Sequence, residues 1–280
     1  MVVIAAVLAL SGLWRPPVAP SRLVTSARRI VTSCVQPSRE PRLLLTSAGL
    51  TTPALRSSFF SMLKRATAQG ATPRIAMIVT AQMAPSGTPS QRSPGELRRR
   101  RWTTAVKNAR AIEKQLGIEI ECVDCARDSD EIERPLATAE CIWVTGGNTF
   151  FLWHHMQRRG VDELVRRRVL DDGILYVGQS AGSIVAGATA RTALWKGWDD
   201  PKAGGALDDV EWTDDELRCM SLAPRRAFFP HYDSQWAELV DERRGELGKA
   251  VEVMCLTDDG EHVYVSGEEA DEPEDGDDSG

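Results

Sequence analysis

The chain has 280 residues, 42% of them hydrophobic and 26% charged, a balance that excludes disordered, collagen-like and fibrous classes for its bulk. No apolar run reaches the roughly 18 residues that a membrane-spanning helix needs, and a net charge of −6 gives no support to a nucleic-acid role. The total conceals a lopsided layout: residues 1–39 carry five arginines and no acid, residues 268–280 carry eight acids and no base, and the body between is near neutral.

In chain order, Val2–Leu13 is apolar and Trp14–Arg39 is rich in Ser, Thr, Arg and Pro. That composition predicts a targeting extension over residues 1–40, directing the protein to a plastid or mitochondrion; a solvated basic tail on a cytoplasmic protein is the alternative. Arg42–Thr46 reads as a first strand and Pro53–Gln69 as a helix. Arg74–Thr80 is an unbroken, β-branched run of the kind buried on both faces of a parallel sheet. Pro94–Leu116 is a long amphipathic helix closed by Gly117. Ile118–Val123 and Cys141–Thr145 follow as strands with a short helix between them. Phe150–Gln157 and Val161–Leu170 are helical, Ile174–Val177 is a strand, and Val251–Leu256 and His262–Val265 close the body as strands around a hairpin turn. Alternation of this kind predicts one α/β domain over residues 41–267, a three-layer sandwich with a mostly parallel sheet. Residues 268–280 should form a solvated acidic tail.

Such sheets bind ligands at the carboxyl ends of their strands, and two strand ends here carry unusual chemistry. Ile174–Val177 runs into Gly178-Gln179-Ser180-Ala181-Gly182-Ser183 and then into a helix-compatible run. Strand, Gly-x-Ser-x-Gly, helix is the context of a nucleophile elbow, which lifts the serine hydroxyl above the sheet edge. The N–H of Ala181, at a helix N-terminus, can receive an oxyanion. Ile142–Val144 leads similarly into Thr145-Gly146-Gly147-Asn148-Thr149-Phe150, where the N–H of Gly147 can supply a second donor and Asn148 a helix cap or a substrate contact.

A nucleophilic Ser180 needs a base, and the four histidines are His154, His155, His231 and His262. The first two sit in a helix before the elbow and read as surface or packing residues. His231 follows the apolar Phe228-Phe229-Pro230, a strand end; His262 follows the turn Asp258-Asp259-Gly260-Glu261. Two triads stay open on residue chemistry alone: Ser180, His231 and an acid from the Asp258-Asp259 turn, or Ser180, Asp233 or Asp241, and His262.

With Gly146-Gly147-Asn148-Thr149-Phe150 upstream and Pro230-His231-Tyr232 downstream, the elbow resembles the peptidase E (aspartyl dipeptidase) family over roughly Arg42 to Val265. The resemblance implies a class I glutamine-amidotransferase-like, flavodoxin-like fold and a Ser-His-Glu triad. It implies Ser180 as nucleophile, His231 as base, and Gly147 and Ala181 as oxyanion donors. Where the family has glutamate, Asp258 is the nearest match and Asp259 the runner-up. Family members that cleave after aspartate use an arginine in a Gly-Glu-Thr-Arg segment; none follows His231 here, and Arg243 or Arg244 is either a candidate carboxylate binder or, the preferred reading, part of the solvated face of a helix over Trp236–Leu247. The segment Thr192–Pro224, with Trp195, Trp198, Trp212 and many acids, should overhang the site.

The function expected is therefore a serine peptidase acting on a short peptide, with no metal or organic cofactor and no nucleic-acid partner; a homodimer is left open. An esterase using His262, a peptidase resembling those that degrade cyanophycin, and an inactive binding homologue are the alternatives. Cys122 and Cys125 lack the second pair that a zinc site needs, and the run Arg98–Arg101 beside Trp102 reads as a solvated helix face.

Overall fold

The computed structural model describes residues 41–88, 90–127 and 132–266. The targeting extension expected in residues 1–40 and the acidic tail expected in residues 268–280 lie outside the described residues. The elements in chain order are β1 (Leu43–Thr46), α1 (Pro53–Ala66), β2 (Arg74–Ile78), α2 (Pro94–Leu116), β3 (Glu119–Val123), α3 (Glu133–Thr138) and β4 (Cys141–Val144). There follow α4 (Thr149–Arg159), α5 (Val161–Leu170), β5 (Leu175–Gln179), α6 (Ala181–Ala186), β6 (Arg226–Phe229), α7 (Ala237–Arg243), β7 (Glu252–Cys255) and β8 (Tyr264–Ser266).

The principal sheet has six strands in the order β3-β2-β4-β5-β1-β8, parallel except for β8, which pairs antiparallel to β1. Every residue of β1 and β4 is buried, so both faces of the sheet centre are covered, as the unbroken apolar strand sequences predict. Leu43, Leu44 and Leu45 expose no surface; each contributes about 2 kcal/mol through the water it leaves behind. The fold is the expected flavodoxin-like α/β domain.

Local chemistry explains the helix ends. The Thr52 hydroxyl accepts the Leu55 N–H ahead of Pro53, and the Ser93 hydroxyl accepts the Glu96 N–H ahead of Pro94. Gly117, at φ 68°, closes α2 in the left-handed region. Two helices are shorter than expected. α1 stops at Ala66, where the Thr67 hydroxyl bonds back to the Leu63 carbonyl. The run Trp236–Leu247 breaks into a 3-10 turn (Ser234–Trp236), α7 and a second 3-10 turn (Arg244–Leu247). β2 also ends early, at Ile78, and Thr80–Met83 folds instead into a 3-10 turn whose Thr80 hydroxyl accepts the Cys125 N–H.

The end of the body departs most from expectation. The turn after β7 exists, with the Thr257 N–H donating to the His262 carbonyl, but its flanks do not pair with each other. β7 runs parallel to β6 in a separate two-stranded sheet, and β8 joins the principal sheet. His262 precedes β8 rather than beginning it. The cause is packing: Phe229, on β6, is buried with Trp195 and Val240, and Val253 and Cys255 of β7 pack against that cluster.

Candidate active site

The strand-to-helix turn after β5 is forced by its glycines. A Cβ on Gly182 would stand 2.1 Å from the Val144 carbonyl oxygen, and one on Gly178 would stand 2.9 Å from the Gly182 main chain. No side chain fits at either place. Between them Ser180 adopts φ 50°, ψ −110°, a conformation that costs a non-glycine residue about 1–3 kcal/mol. The turn is braced from below. The buried Tyr176 hydroxyl donates to the Gly182 carbonyl at 2.7 Å, and the Ser183 hydroxyl donates to the Thr46 carbonyl at 2.8 Å while accepting the Thr46 N–H at 3.1 Å.

Pro230 ends β6, and the next residue, His231, is also left-handed, at φ 55°. This turn carries the imidazole to the elbow. The Ser180 hydroxyl lies 2.9 Å from His231 Nε2, and His231 Nδ1 lies 2.7 Å from Asp258 Oδ1. With an ionised carboxylate on Nδ1, the proton of the neutral imidazole sits there and Nε2 is free to accept from Ser180. Asp258 stays ionised below the usual carboxylate range: burial pushes its pKa up, but hydrogen bonds from Ser47 and His231, with the charges of His231 and Lys196, outweigh it.

Ser47 is a participant that sequence reasoning missed. It lies just past β1; its hydroxyl accepts the His231 N–H at 2.7 Å and donates to Asp258 Oδ1. One hydroxyl thus ties the base's main chain to the acid that orients its ring. A serine after an apolar strand carries no motif, and the partners are 184 and 211 residues away; nothing local signals it.

Beside Ser180 opens a cavity of about 550 Å³, bounded by Ala81–Gln82, Ser86–Gly87, Gly147–Asn148, Lys196, Trp198–Asp200 and His231. That volume suits a ligand of a few residues. A Cβ on Gly146 would stand 3.0 Å from the Ser180 Cβ, so this glycine loop runs against the serine. The N–H groups of Gly147 and Ala181 have no hydrogen-bond partner among the described residues. Gly147 stands at φ 134° with its α-carbon packed on the Ala81 carbonyl, which fixes the direction of the loop. Asn148 lines the cavity, but both ends of its amide are engaged: Oδ1 accepts the Phe151 N–H at 2.8 Å and Nδ2 donates to the Asp200 carbonyl at 2.8 Å.

Only part of the Thr192–Pro224 segment overhangs the site. Thr192, Ala193, Lys196, Trp198, Asp199 and Asp200 reach the cavity, whereas Trp212 packs on Phe150. Asp199 is held against the start of α4, its carboxylate accepting the Thr149 N–H at 3.1 Å, and burial pushes its pKa up. Burial also pushes the Lys196 ammonium down, to about 8, against the pull of Asp233, Asp258 and Cys255. Arg243 and Arg244 do not line the cavity. They pair with Glu246 and Asp241 on the exposed side of their turn, because that short helix presents its buried residue, Val240, to the aromatic cluster.

Asp259 likewise turns away from the imidazole, its carboxylate accepting from the Thr257 hydroxyl and the Glu261 N–H. His262 has no contact with Ser180; its N–H donates to the Thr257 hydroxyl at 3.0 Å. Among the described residues there is no cluster of three or more metal-ligating side chains, and no helix is long and apolar enough to cross a membrane. Cys125 is buried with its pKa pushed up to about 12, a thiol with no tendency to ionise.

A strained serine at the carboxyl edge of a parallel sheet, with an imidazole and a carboxylate chained behind it, is an arrangement from which acyl-transfer chemistry is built. Comparison with known proteins narrows the class. The family model described as Peptidase family S51 matches residues 43–272, and the chain belongs to that family. It is 36% identical over 126 residues to an uncharacterised peptidase of Listeria innocua, covering 45% of this chain and 54% of that one. To a peptidase E of a Nostoc species it is 32% identical over 87 residues, 31% of this chain and 34% of the other. The chain thus matches about half or less of the length of these curated relatives. A crystal structure of a protein ascribed to peptidase E from Listeria monocytogenes superposes with a TM-score of 0.51 at 21% identity, covering 82% of this chain and 99% of that one. A peptidase from an acI-B1 actinobacterium superposes with a TM-score of 0.50 at 18% identity, covering 73% and 77%. At these identities the superpositions establish the fold.

Proposed function

We propose that this protein is a serine peptidase that hydrolyses short peptides through an acyl-enzyme on Ser180. The observation that carries the reading is the chain from Ser180 through His231 to Asp258, at 2.9 and 2.7 Å. The Ser180 oxygen attacks the scissile carbonyl carbon while His231 Nε2 takes the hydroxyl proton. The carbonyl oxygen becomes an oxyanion facing the unpaired N–H groups of Gly147 and Ala181, where each donor is worth about 10²–10³ in rate. The imidazolium, stabilised by Asp258, returns its proton to the leaving amine as the C–N bond breaks. Water, activated by the same imidazole, then cleaves the ester and restores Ser180. Membership of the S51 family and a cavity of about 550 Å³ support a short peptide as the acyl donor.

The test is labelling of the full-length chain with a fluorophosphonate, which reports an activated serine without knowledge of the natural substrate. Wild type should label on Ser180, and Ser180→Ala and His231→Ala should not, while His262→Ala labels as wild type does. Failure of wild type to label, or loss of label in His262→Ala with retention in His231→Ala, would reject the reading.

A further inference from the structure

Lys196 lies in the connection between α6 and β6, and its half-buried ammonium reaches beneath the His231 turn. Nζ donates to the Pro230 carbonyl at 2.8 Å and to the His231 carbonyl. It stands 4.4 Å from the ring centroids of Trp198 and of Phe229, and 4.8 Å from that of Trp236. Asp233 and Asp258 act on it through their charge, yet it forms no ion pair among the described residues. An ammonium withdrawn from water without a bonded carboxylate needs other compensation. Here two carbonyls and three aromatic faces supply it.

The position of those carbonyls is informative. They belong to consecutive residues, and the second, His231, holds the left-handed conformation that brings its imidazole to Ser180. On the opposite side the His231 N–H is held by Ser47. The main chain of the base is therefore gripped at both polar groups, by a hydroxyl on one and an ammonium on the other. Lys196 also lines the cavity, but two of its three protons are spent on carbonyls, which leaves little for binding a substrate anion.

We propose that Lys196 is a positioning residue for His231: from within the cage of Trp198, Phe229 and Trp236, it holds the Pro230 and His231 carbonyls so that Nε2 stays on Ser180. The proposal rests on the acyl-enzyme reading above.

The experiment measures the second-order rate of fluorophosphonate labelling of Ser180 in the full-length chain, with Lys196→Ala assayed alone, with propylammonium and with tetramethylammonium. Lys196→Ala should label about a hundredfold more slowly, the scale set by small misplacements of a reacting group. Propylammonium, which carries N–H donors into the vacated cage, should restore most of the rate. Tetramethylammonium enters aromatic cages but has no N–H, and should restore none. A merely structural lysine would show no such distinction between the two cations. Should Lys196→Ala melt below the assay temperature, Lys196→Gln, which keeps an N–H donor on a shorter stem, should label at an intermediate rate.

Wild-type labelling together with an undiminished rate in the folded lysine variant overturns the Lys196 proposal alone, as does equal rescue by both cations. Absence of label from wild type overturns the acyl-enzyme reading, and the Lys196 proposal falls with it.

Discussion

The serine and the histidine of this site stand in similarly strained conformations, at φ 50° and φ 55°, but the two are held in different ways. Ser180 belongs to the centre of the six-stranded sheet, in a turn fixed by two glycines, a tyrosine hydroxyl and a neighbouring strand. His231 hangs from the small β6–β7 sheet and is held by single polar contacts from Ser47, Lys196 and Asp258. The first is close-packed backbone; the second is an assembly of side chains from distant parts of the chain. Steric constraint tolerates nothing, whereas an assembly of polar contacts degrades one contact at a time.

Gly182→Ala tests the rigid side and should have the largest effect on stability. Its methyl would meet the Val144 carbonyl, and neither backbone can give way; a loss of about 4 kcal/mol or more is expected, the range of severe core damage, read as a shift in the denaturant midpoint. Ser47→Ala tests the assembled side. It strips one partner from the His231 N–H and one from Asp258, so the labelling rate should fall about a hundredfold while stability drops only about 1–2 kcal/mol. A stability loss as large as that of Gly182→Ala, with labelling intact, would reverse the comparison.

Ser180→Gly sharpens the point in the other direction. Glycine adopts the elbow conformation without strain, so the variant should unlabel the protein yet stabilise it by about 1 kcal/mol, the strain released less glycine's extra chain entropy. A melting temperature below that of wild type would show that the serine is not strained in the free protein. The smallest effect expected is on the acid side of the pH profile. Because the Asp258 pKa is lower in the folded chain than in the unfolded one, the stability it lends is complete above the ordinary aspartate value of about 3.9. It is lost as pH falls through the depressed value. The carboxylate is largely solvent-exposed, so screening keeps the contribution below about 1 kcal/mol. Asp258→Asn should flatten that part of the stability curve, and an unchanged slope would mean that the carboxylate gains nothing from His231 and Ser47.

What could be read from the sequence follows the same division. Gly178, Ser180 and Gly182 were legible because an elbow's requirements are local: tiny residues at fixed offsets between a strand and a helix. The ends of α2 were legible for the same reason, since Ser93 and Gly117 act on their own helix. Asp258 came into view as one acid of a turn, and only family resemblance preferred it to Asp259 and its triad to the one with His262, as its partner lies 27 residues away. Ser47 and Lys196 were invisible, one following a strand and the other within a segment that read as acidic overhang; what they do depends on a fold that brings remote segments together. The last two strands were foreseen to within two residues at each end but given to one hairpin. Turn chemistry specifies a reversal, while partner choice is decided by the aromatic cluster around Phe229 and by the open edge of β1.

β1 is the first strand of the described chain, yet its neighbours come from much later, with Leu43 opposite Tyr176 on one side and Ser266 on the other. Both ladders join segments far apart in the sequence, and loop-closure entropy makes such distant pairings slow to form. Thr46 and Ser47, at its end, brace the elbow and the base respectively. The elbow and the base are therefore both held from the end of one early strand, though they lie more than 130 residues further along the chain.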